Sequence, residues 1–194
     1  MEAETAPVPP RQRILKAADE LFYRHGIRAV GVDAIAEAAG TNKMTLYRHF
    51  PSKDDLVAEY LREKAKRVEA SWERLEGEHP GNPLAQLHAW VKHMAEEVIC
   101  RGGRGCAHAN AAVELAEKEH PARRVIEAFK KAQRERLARL CRAAGLSDPE
   151  LLADELSLVL EGARVSLQSV GPEDLGARIV RIGEAIIASH SQSR

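Results

Sequence analysis

Apolar residues recur at helical spacing in nine segments of the chain, and glycine or proline separates one segment from the next. The first segment, residues 11–25, carries an i, i+1, i+4, i+7, i+8 pattern that lies on one helix face: Ile14, Leu15, Ala18, Leu21 and Phe22. The spacing predicts further helices over residues 32–39, 43–49, 53–76, 84–100, 106–118, 121–144, 148–170 and 172–189. The expected fold class is therefore all-α, with three small helices followed by six longer ones.

A tight turn joins the second and third predicted helices. Gly40 sits where the chain must reverse, and a residue without Cβ reaches left-handed backbone angles at little cost. Thr41 and Asn42 follow as candidates to cap the next helix. Two short helices with such a turn form the geometry that places a second helix in the major groove of DNA. The sequence thus predicts a helix-turn-helix from Val32 to His49.

The second helix of this motif carries side chains that can bond to phosphates or reach base edges. Leu46 and Phe50 are expected to anchor it to the apolar residues beneath, and Lys53 with its helix N-terminus is a candidate phosphate clamp. The expected DNA contacts read from these residues are Asn42, Lys43, Thr45, Tyr47, His49 and Lys53.

The composition indicates the cellular compartment of the protein more clearly than its function. The 194 residues hold 29 basic and 29 acidic side chains, so the overall charge neither supports nor excludes nucleic acid, and residues 11–50 carry a modest local balance of +3. The three cysteines are an odd number and do not have the spacing of a disulfide framework, which is typical of a protein from a reducing compartment. The opening MEAETAPVPP lacks the features of a signal peptide, and no apolar run approaches a membrane span. A cytoplasmic protein without a membrane partner is expected.

The N-terminal residues resemble the DNA-binding domain of the TetR family of repressors over about residues 11–57. The resemblance rests on Arg13 to Ala18, Leu21-Phe22, Gly26, Ile35-Ala36, Ala39-Gly40, Lys43, Thr45 to Phe50, Ser52-Lys53 and Leu56. It implies an all-α homodimer with a C-terminal sensing domain, which binds a palindromic or pseudo-palindromic operator and is released by a small molecule. It also implies that Thr45, Leu46, Tyr47 and His49 lie on the recognition helix and contact DNA, with Lys43 at the start of that helix and Lys53 at a phosphate.

One departure from the family pattern lies at the start of the second helix. Family members usually have Thr or Ser there, which caps the helix and touches a phosphate, whereas this chain reads Ala29-Val30-Gly31-Val32. A glycine cap is tolerated and leaves backbone N–H groups available. The expected organisation is a disordered arm at 1–10, a DNA-binding domain at 11–57 and a ligand-binding and dimerisation domain at 58–194.

The C-terminal two-thirds carries no catalytic signature, so neither enzymatic activity nor a cofactor is expected. The resemblance implies a ligand cavity there, and apolar walls with a few polar groups suit a small-molecule site. Asn110 and Glu114 are four residues apart and share a helix face. The candidate cavity-lining residues are Trp72, Trp90, His93, Met94, Cys106, Asn110, Glu114, Phe129 and Gln133.

The last two helices, at about residues 150–189, are the expected homodimer interface. They combine apolar stripes with residues small enough for close helix approach: Gly162, Ala163, Gly176, Ala177 and Gly183. The alternative is that both helices pack only within one chain.

Two other functions remain open from the residues. One is a metal-sensing regulator that uses Cys106 and His108, if that segment is not helical; His88 and His93 lie about 140° apart on a helix and cannot share a metal unaided. The other is a helical small-molecule-binding protein or enzyme with an incidental helix-turn-helix. No metal ligand set is assigned.

Overall fold

The computed structural model of the protein describes residues 8–100 and 104–191. Most of the expected arm at 1–10 and the corner at 101–103 lie outside these residues. The described residues form nine α-helices and no strand, which confirms the all-α prediction. The helices are α1 (Pro10–His25), α2 (Val32–Ala38), α3 (Lys43–His49), α4 (Lys53–Glu78), α5 (Pro83–Cys100), α6 (Ala107–Glu114), α7 (Pro121–Ala143), α8 (Pro149–Val170) and α9 (Leu175–Ser189).

Three helix ends differ from the sequence prediction by two residues or more. Helix α4 continues through Gly77 to Glu78, and α6 ends at Glu114 instead of residue 118. Helix α9 begins at Leu175 instead of residue 172, because Asp174 takes a left-handed conformation with φ 54°. Periodicity locates the apolar face of a helix, whereas the ends depend on local backbone contacts.

The chain folds into two compact units, and each is discontinuous in sequence. The N-terminal unit comprises Met1–Lys64 with Ala107–Ile126, and the C-terminal unit comprises Ala65–Cys106 with Glu127–Arg194. This division differs from the expected boundary at residue 57, because α6 and the start of α7 pack with the first three helices. Leu115, Ala122 and Ile126 belong to the same buried cluster as the fully buried Ile14 and Ile35.

Polar contacts hold the N-terminal unit together around this core. Asp19 pairs with Lys64, whose ammonium lies 5.5 Å from the Tyr23 ring centroid. The buried His120 accepts a hydrogen bond from the Ala122 N–H at Nδ1 (3.1 Å), and its Nε2 lies 3.3 Å from the Asp54 carboxylate. The start of α7 is thereby attached to the start of α4.

In the C-terminal unit, α5 packs against α8 and α9. The contact with α9 is close: a Cβ built on Gly183 would lie 2.6 Å from Val91 Cγ1, and one on Gly176 would lie 3.5 Å from Ile99 Cγ1. These two glycines therefore face α5 of their own chain, and not a symmetry mate as the sequence suggested. Ala163 is also buried, whereas Gly162 and Ala177 are exposed.

A tryptophan pair forms the other part of this core. The Trp72 and Trp90 rings stack with centroids 5.7 Å apart, and the Trp72 indole N–H donates to Gln133 Oε1 at 2.7 Å. The Arg136 guanidinium lies 5.1 Å above the Trp72 ring and is itself paired with Glu76. Both indoles are buried. Within the described part of the chain, no helix combines the length and apolar character that crossing a bilayer requires.

Candidate nucleic-acid interface

The turn between α2 and α3 is built as the sequence pattern requires. Gly40 has φ +61°, and the chain reverses with the Gly40 N–H donating to the Glu37 carbonyl and the Thr41 N–H to the Ala36 carbonyl, both at 2.9 Å. Asn42 then caps α3, because its side chain accepts the Thr45 N–H at 2.9 Å. Asn42 was expected to contact DNA, and in this structure its side-chain oxygen has a capping role. At the other end of the motif, Gly31 caps α2 with extended backbone angles and no side-chain bond.

Helix α3 is fixed by one face and exposed on the other. Leu46 is 0% exposed and Phe50 follows it into the core. The side chain of Leu46 therefore anchors α3 to the core, and the DNA contact expected of Leu46 stays a prediction. Thr45 is half-buried. The exposed residues of α3 are Lys43, Met44, Tyr47, Arg48 and His49.

Lys43, at the start of α3, forms an ion pair with α2. Its ammonium lies 3.2 Å from the carboxylate of Asp33 on α2, and both side chains are largely exposed. An exposed pair of this kind contributes little stability and is weakened by salt. A phosphate can therefore replace Asp33 as the partner of Lys43 at small cost.

Lys53 opens α4 in a partly buried position. Ser52 caps this helix by accepting the Asp55 N–H at 3.0 Å. Partial burial lowers the pKa of the Lys53 ammonium, while the carboxylates of Asp54 and Glu114 oppose that shift. Lys53 thus lies beside two acids of its own unit, and an incoming phosphate would have to compete with them.

Glu114, at the end of α6, lies at the turn after α1. Its carboxylate accepts the Arg28 N–H at 3.0 Å and lies about as close to the position that a Cβ on Gly26 would take. The sequence interpretation placed Glu114 in the wall of a ligand cavity. The structure instead shows it bonded to the backbone between α1 and α2, because α6 packs within the N-terminal unit.

The remaining cavity candidates divide between the units. Asn110 belongs to the N-terminal unit with Glu114, and the others belong to the C-terminal unit. There, Trp72, Trp90 and Gln133 are brought together as described, and His93 Nδ1 lies 3.2 Å from an Arg74 guanidinium nitrogen. Met94, Cys106 and Phe129 are half-buried. In the described ranges, no group of three or more His, Cys, Asp or Glu is placed to hold a metal ion.

Sequence reasoning missed two exposed residues of α3. Met44 and Arg48 are an i, i+4 pair, and at 100° per residue both lie about 160° from Leu46 around the helix axis. The sequence contained the necessary information, because the predicted burial of Leu46 determines which residues of α3 point away from the core. The emphasis on polar side chains passed over Met44.

A helix-turn-helix whose second helix is anchored by one buried leucine and exposes a basic and polar face defines a class of DNA-binding regulators. The sequence profile described as "Bacterial regulatory proteins, tetR family" matches residues 14–60. A TetR-type transcriptional regulator from Streptomyces avermitilis is 30% identical and has a TM-score of 0.83, with 96% of this chain and 100% of that chain covered. A TetR-family regulator from Streptomyces coelicolor is 28% identical with a TM-score of 0.88, covering 94% and 96%. The chain belongs to the TetR family of transcriptional regulators.

Curated relatives match over a shorter stretch. The HTH-type transcriptional regulator AcrR of Shigella flexneri is 30% identical over 89 residues, which is 46% of this chain and 41% of that protein. UidR of Escherichia coli K12 is 31% identical over 96 residues, 50% of this chain and 44% of the relative. The matched stretch spans less than half the length of these relatives.

Proposed function

We propose that the protein is a homodimeric transcriptional repressor that binds an operator through α3 and is released by a small molecule. The observation that carries this proposal is the exposed face of α3, which presents Lys43, Tyr47 and His49 from a helix anchored by the buried Leu46. The family membership supports the DNA-binding role. We assign it no catalytic activity and a cytoplasmic location.

DNA recognition can be tested without knowing the operator. The protein would be used to select duplexes from a random library, and binding to the enriched sequence would be followed by fluorescence anisotropy at low and at moderate salt. A Lys43→Ala/Tyr47→Ala double variant should lose the preference for the selected sequence, because base edges carry the sequence information. Val113→Ala, an 85% exposed residue on α6, is the matched control. No enrichment and no binding at low salt would refute the proposal.

A stripe of exposed apolar residues on α8 supports the dimer. Leu151, Leu158 and Val165 are spaced by seven residues and are 53%, 70% and 63% exposed, and Ile182 on α9 is 44% exposed. The inward-facing Leu152, Leu156 and Leu160 are already buried in the chain's own core. A symmetric partner would cover the exposed stripe and remove its apolar surface from water. The proposed dimer face thus uses α8 and α9, at positions other than those that the small residues suggested.

Sedimentation velocity tests this face. Leu158→Glu lies at the centre of the stripe and should convert the dimer to monomer at micromolar concentration, because two carboxylates would face each other across the two-fold axis. Leu84→Glu, on an exposed position of α5, should leave the dimer intact. A wild-type monomer, or a Leu158→Glu dimer as tight as the wild type, would contradict the proposed interface.

The effector site is proposed for the C-terminal unit, near the tryptophan pair and the half-buried Met94 and Phe129. A ligand that binds only the folded state raises the melting temperature, so a compound library can be screened by thermal shift. Compounds that stabilise the protein should also weaken operator binding, since the proposed mechanism couples the two sites. Stabilising compounds that leave operator affinity unchanged would refute release by ligand.

A further inference from the structure

Helix α3 carries an exposed apolar side chain near its start. Met44 is 63% exposed and occupies the second position of this helix. It lies on the opposite side of the helix axis from Leu46, so the core cannot cover it. A lysine, glutamine or arginine would serve helix formation equally well at this position. The fold of the N-terminal unit therefore gives no reason for a methionine here.

The two polar side chains just before Met44 have polar partners in the protein. The Asn42 oxygen caps the helix through the Thr45 N–H, and the Lys43 ammonium pairs with Asp33. The N-terminal end of a recognition helix enters the major groove first. Met44 is thus the exposed apolar side chain of this turn, next to the exposed Lys43.

The major groove of DNA presents one apolar group, the 5-methyl of thymine. Methionine is unbranched and polarisable, and it adapts its shape to such a group. Arg48 lies one helical turn further along the same ridge, and a basic side chain there can hold the helix against the phosphates or a guanine. An apolar residue next to a basic one fits a DNA groove better than it fits an apolar protein surface.

We propose that Met44 determines operator specificity by contacting the 5-methyl group of a thymine in each half-site. This inference rests on the proposed DNA-binding function and makes it more specific. It predicts that sequences selected by the wild-type protein contain a thymine at one fixed position of each half-site, and that the methyl group itself is what the protein recognises there.

Replacement of thymine by uracil tests the contact at the level of one methyl group. Each thymine of the selected operator would be replaced singly by uracil, which removes the methyl and keeps the base pair. At one position the wild-type protein should lose about fourfold in affinity per half-site, and about sixteenfold when both half-sites are changed. Met44→Ala should bind thymine and uracil operators equally, and Met44→Leu should retain most of the discrimination.

Two controls separate the possible failures. Val113→Ala should keep the wild-type sensitivity to uracil, and circular dichroism should show that both Met44 variants stay helical. If the wild-type protein selects no sequence, the proposed function itself fails. If it selects an operator but uracil is tolerated everywhere, or if Met44→Ala discriminates as well as the wild type, the role of Met44 is overturned while the DNA-binding function stands.

Discussion

Replacing Gly183 by alanine should destabilise the C-terminal unit, although alanine is the better helix former. The new methyl would lie 2.6 Å from Val91 Cγ1 and 3.3 Å from Cγ2, closer than atoms can pack. Val91 is 2% exposed and its branched side chain has little rotational freedom on a helix. The steric conflict therefore has to be relieved by moving α9 away from α5.

Two opposing free energies decide the result. The exchange of glycine for alanine inside a helix favours folding by about 0.5–1 kcal/mol. Inserting a methyl into a packed core costs about 1–3 kcal/mol. We therefore expect a net loss of about 1 kcal/mol in the free energy of unfolding, or about 2–4 °C in melting temperature for a chain of this size.

The matched control is Gly77→Ala on α4, where a Cβ would meet nothing within 4 Å. This variant gains the helix preference without the conflict and should be as stable as the wild type or slightly more stable. Urea unfolding would be followed by tryptophan fluorescence, because both tryptophans belong to the C-terminal unit. All variants would be compared at one protein concentration.

The reasoning fails if Gly183→Ala is stabilised as much as Gly77→Ala. A double-mutant cycle with Val91→Ala adds a second criterion. The two substitutions should be less damaging together than the sum of the single effects, since the shortened side chain makes room for the methyl. Strict additivity would show that Val91 is not the obstacle.

Three further predictions concern charge and reactivity. Burial lowers the pKa of His190, but its hydrogen bonds to the Ser147 carbonyl and to Glu155 (3.0 Å) outweigh this, and the pKa is raised. The charged His190 should therefore stabilise the fold fully below the pKa of an unfolded histidine, and this stabilisation should be lost as the pH rises through the folded pKa. The free energy of unfolding would be measured by urea titration between pH 5.5 and 8.5. Glu155→Gln should flatten its decline with pH, and parallel curves for the variant and the wild type would contradict the argument. Lys53→Ala should weaken binding to selected and random DNA alike, and anisotropy should show that the slope of log K against log salt concentration falls by about one. A change in sequence preference alone would contradict a phosphate contact. Burial raises the pKa of the Cys141 thiol to about 11, so a thiol reagent should modify this cysteine only after unfolding, while the exposed Cys100 reacts in the native protein; equal rates would refute the burial argument.

The pattern of apolar residues was sufficient for the helices and the DNA-binding motif. Ile14, Ile35 and Leu46 all lie on the buried faces that their spacing predicts. The turn at Gly40 was also readable, because left-handed backbone angles favour a residue without Cβ. Local features of this kind depend only on residues near in sequence.

Contacts between distant segments could not be predicted in the same way. Nothing near Glu114 in sequence indicates that its carboxylate accepts a hydrogen bond from Arg28, which is 86 residues earlier. The small residues of α8 and α9 were assigned to a dimer interface, yet Gly183 accommodates Val91 of the same chain. Periodicity shows that a face is covered, but the identity of the covering element is a property of the tertiary fold.

The discontinuous N-terminal unit has a consequence for protein engineering. A fragment that ends at Lys64 contains the whole helix-turn-helix. It lacks Leu115, Ala122 and Ile126, however, which are part of the same hydrophobic core. Such a fragment would expose that core to water, and swapping it onto another sensor would leave the same gap. A transplantable module would have to carry residues 107–126 as well, joined to Lys64 by a linker that replaces 42 intervening residues, 65–106.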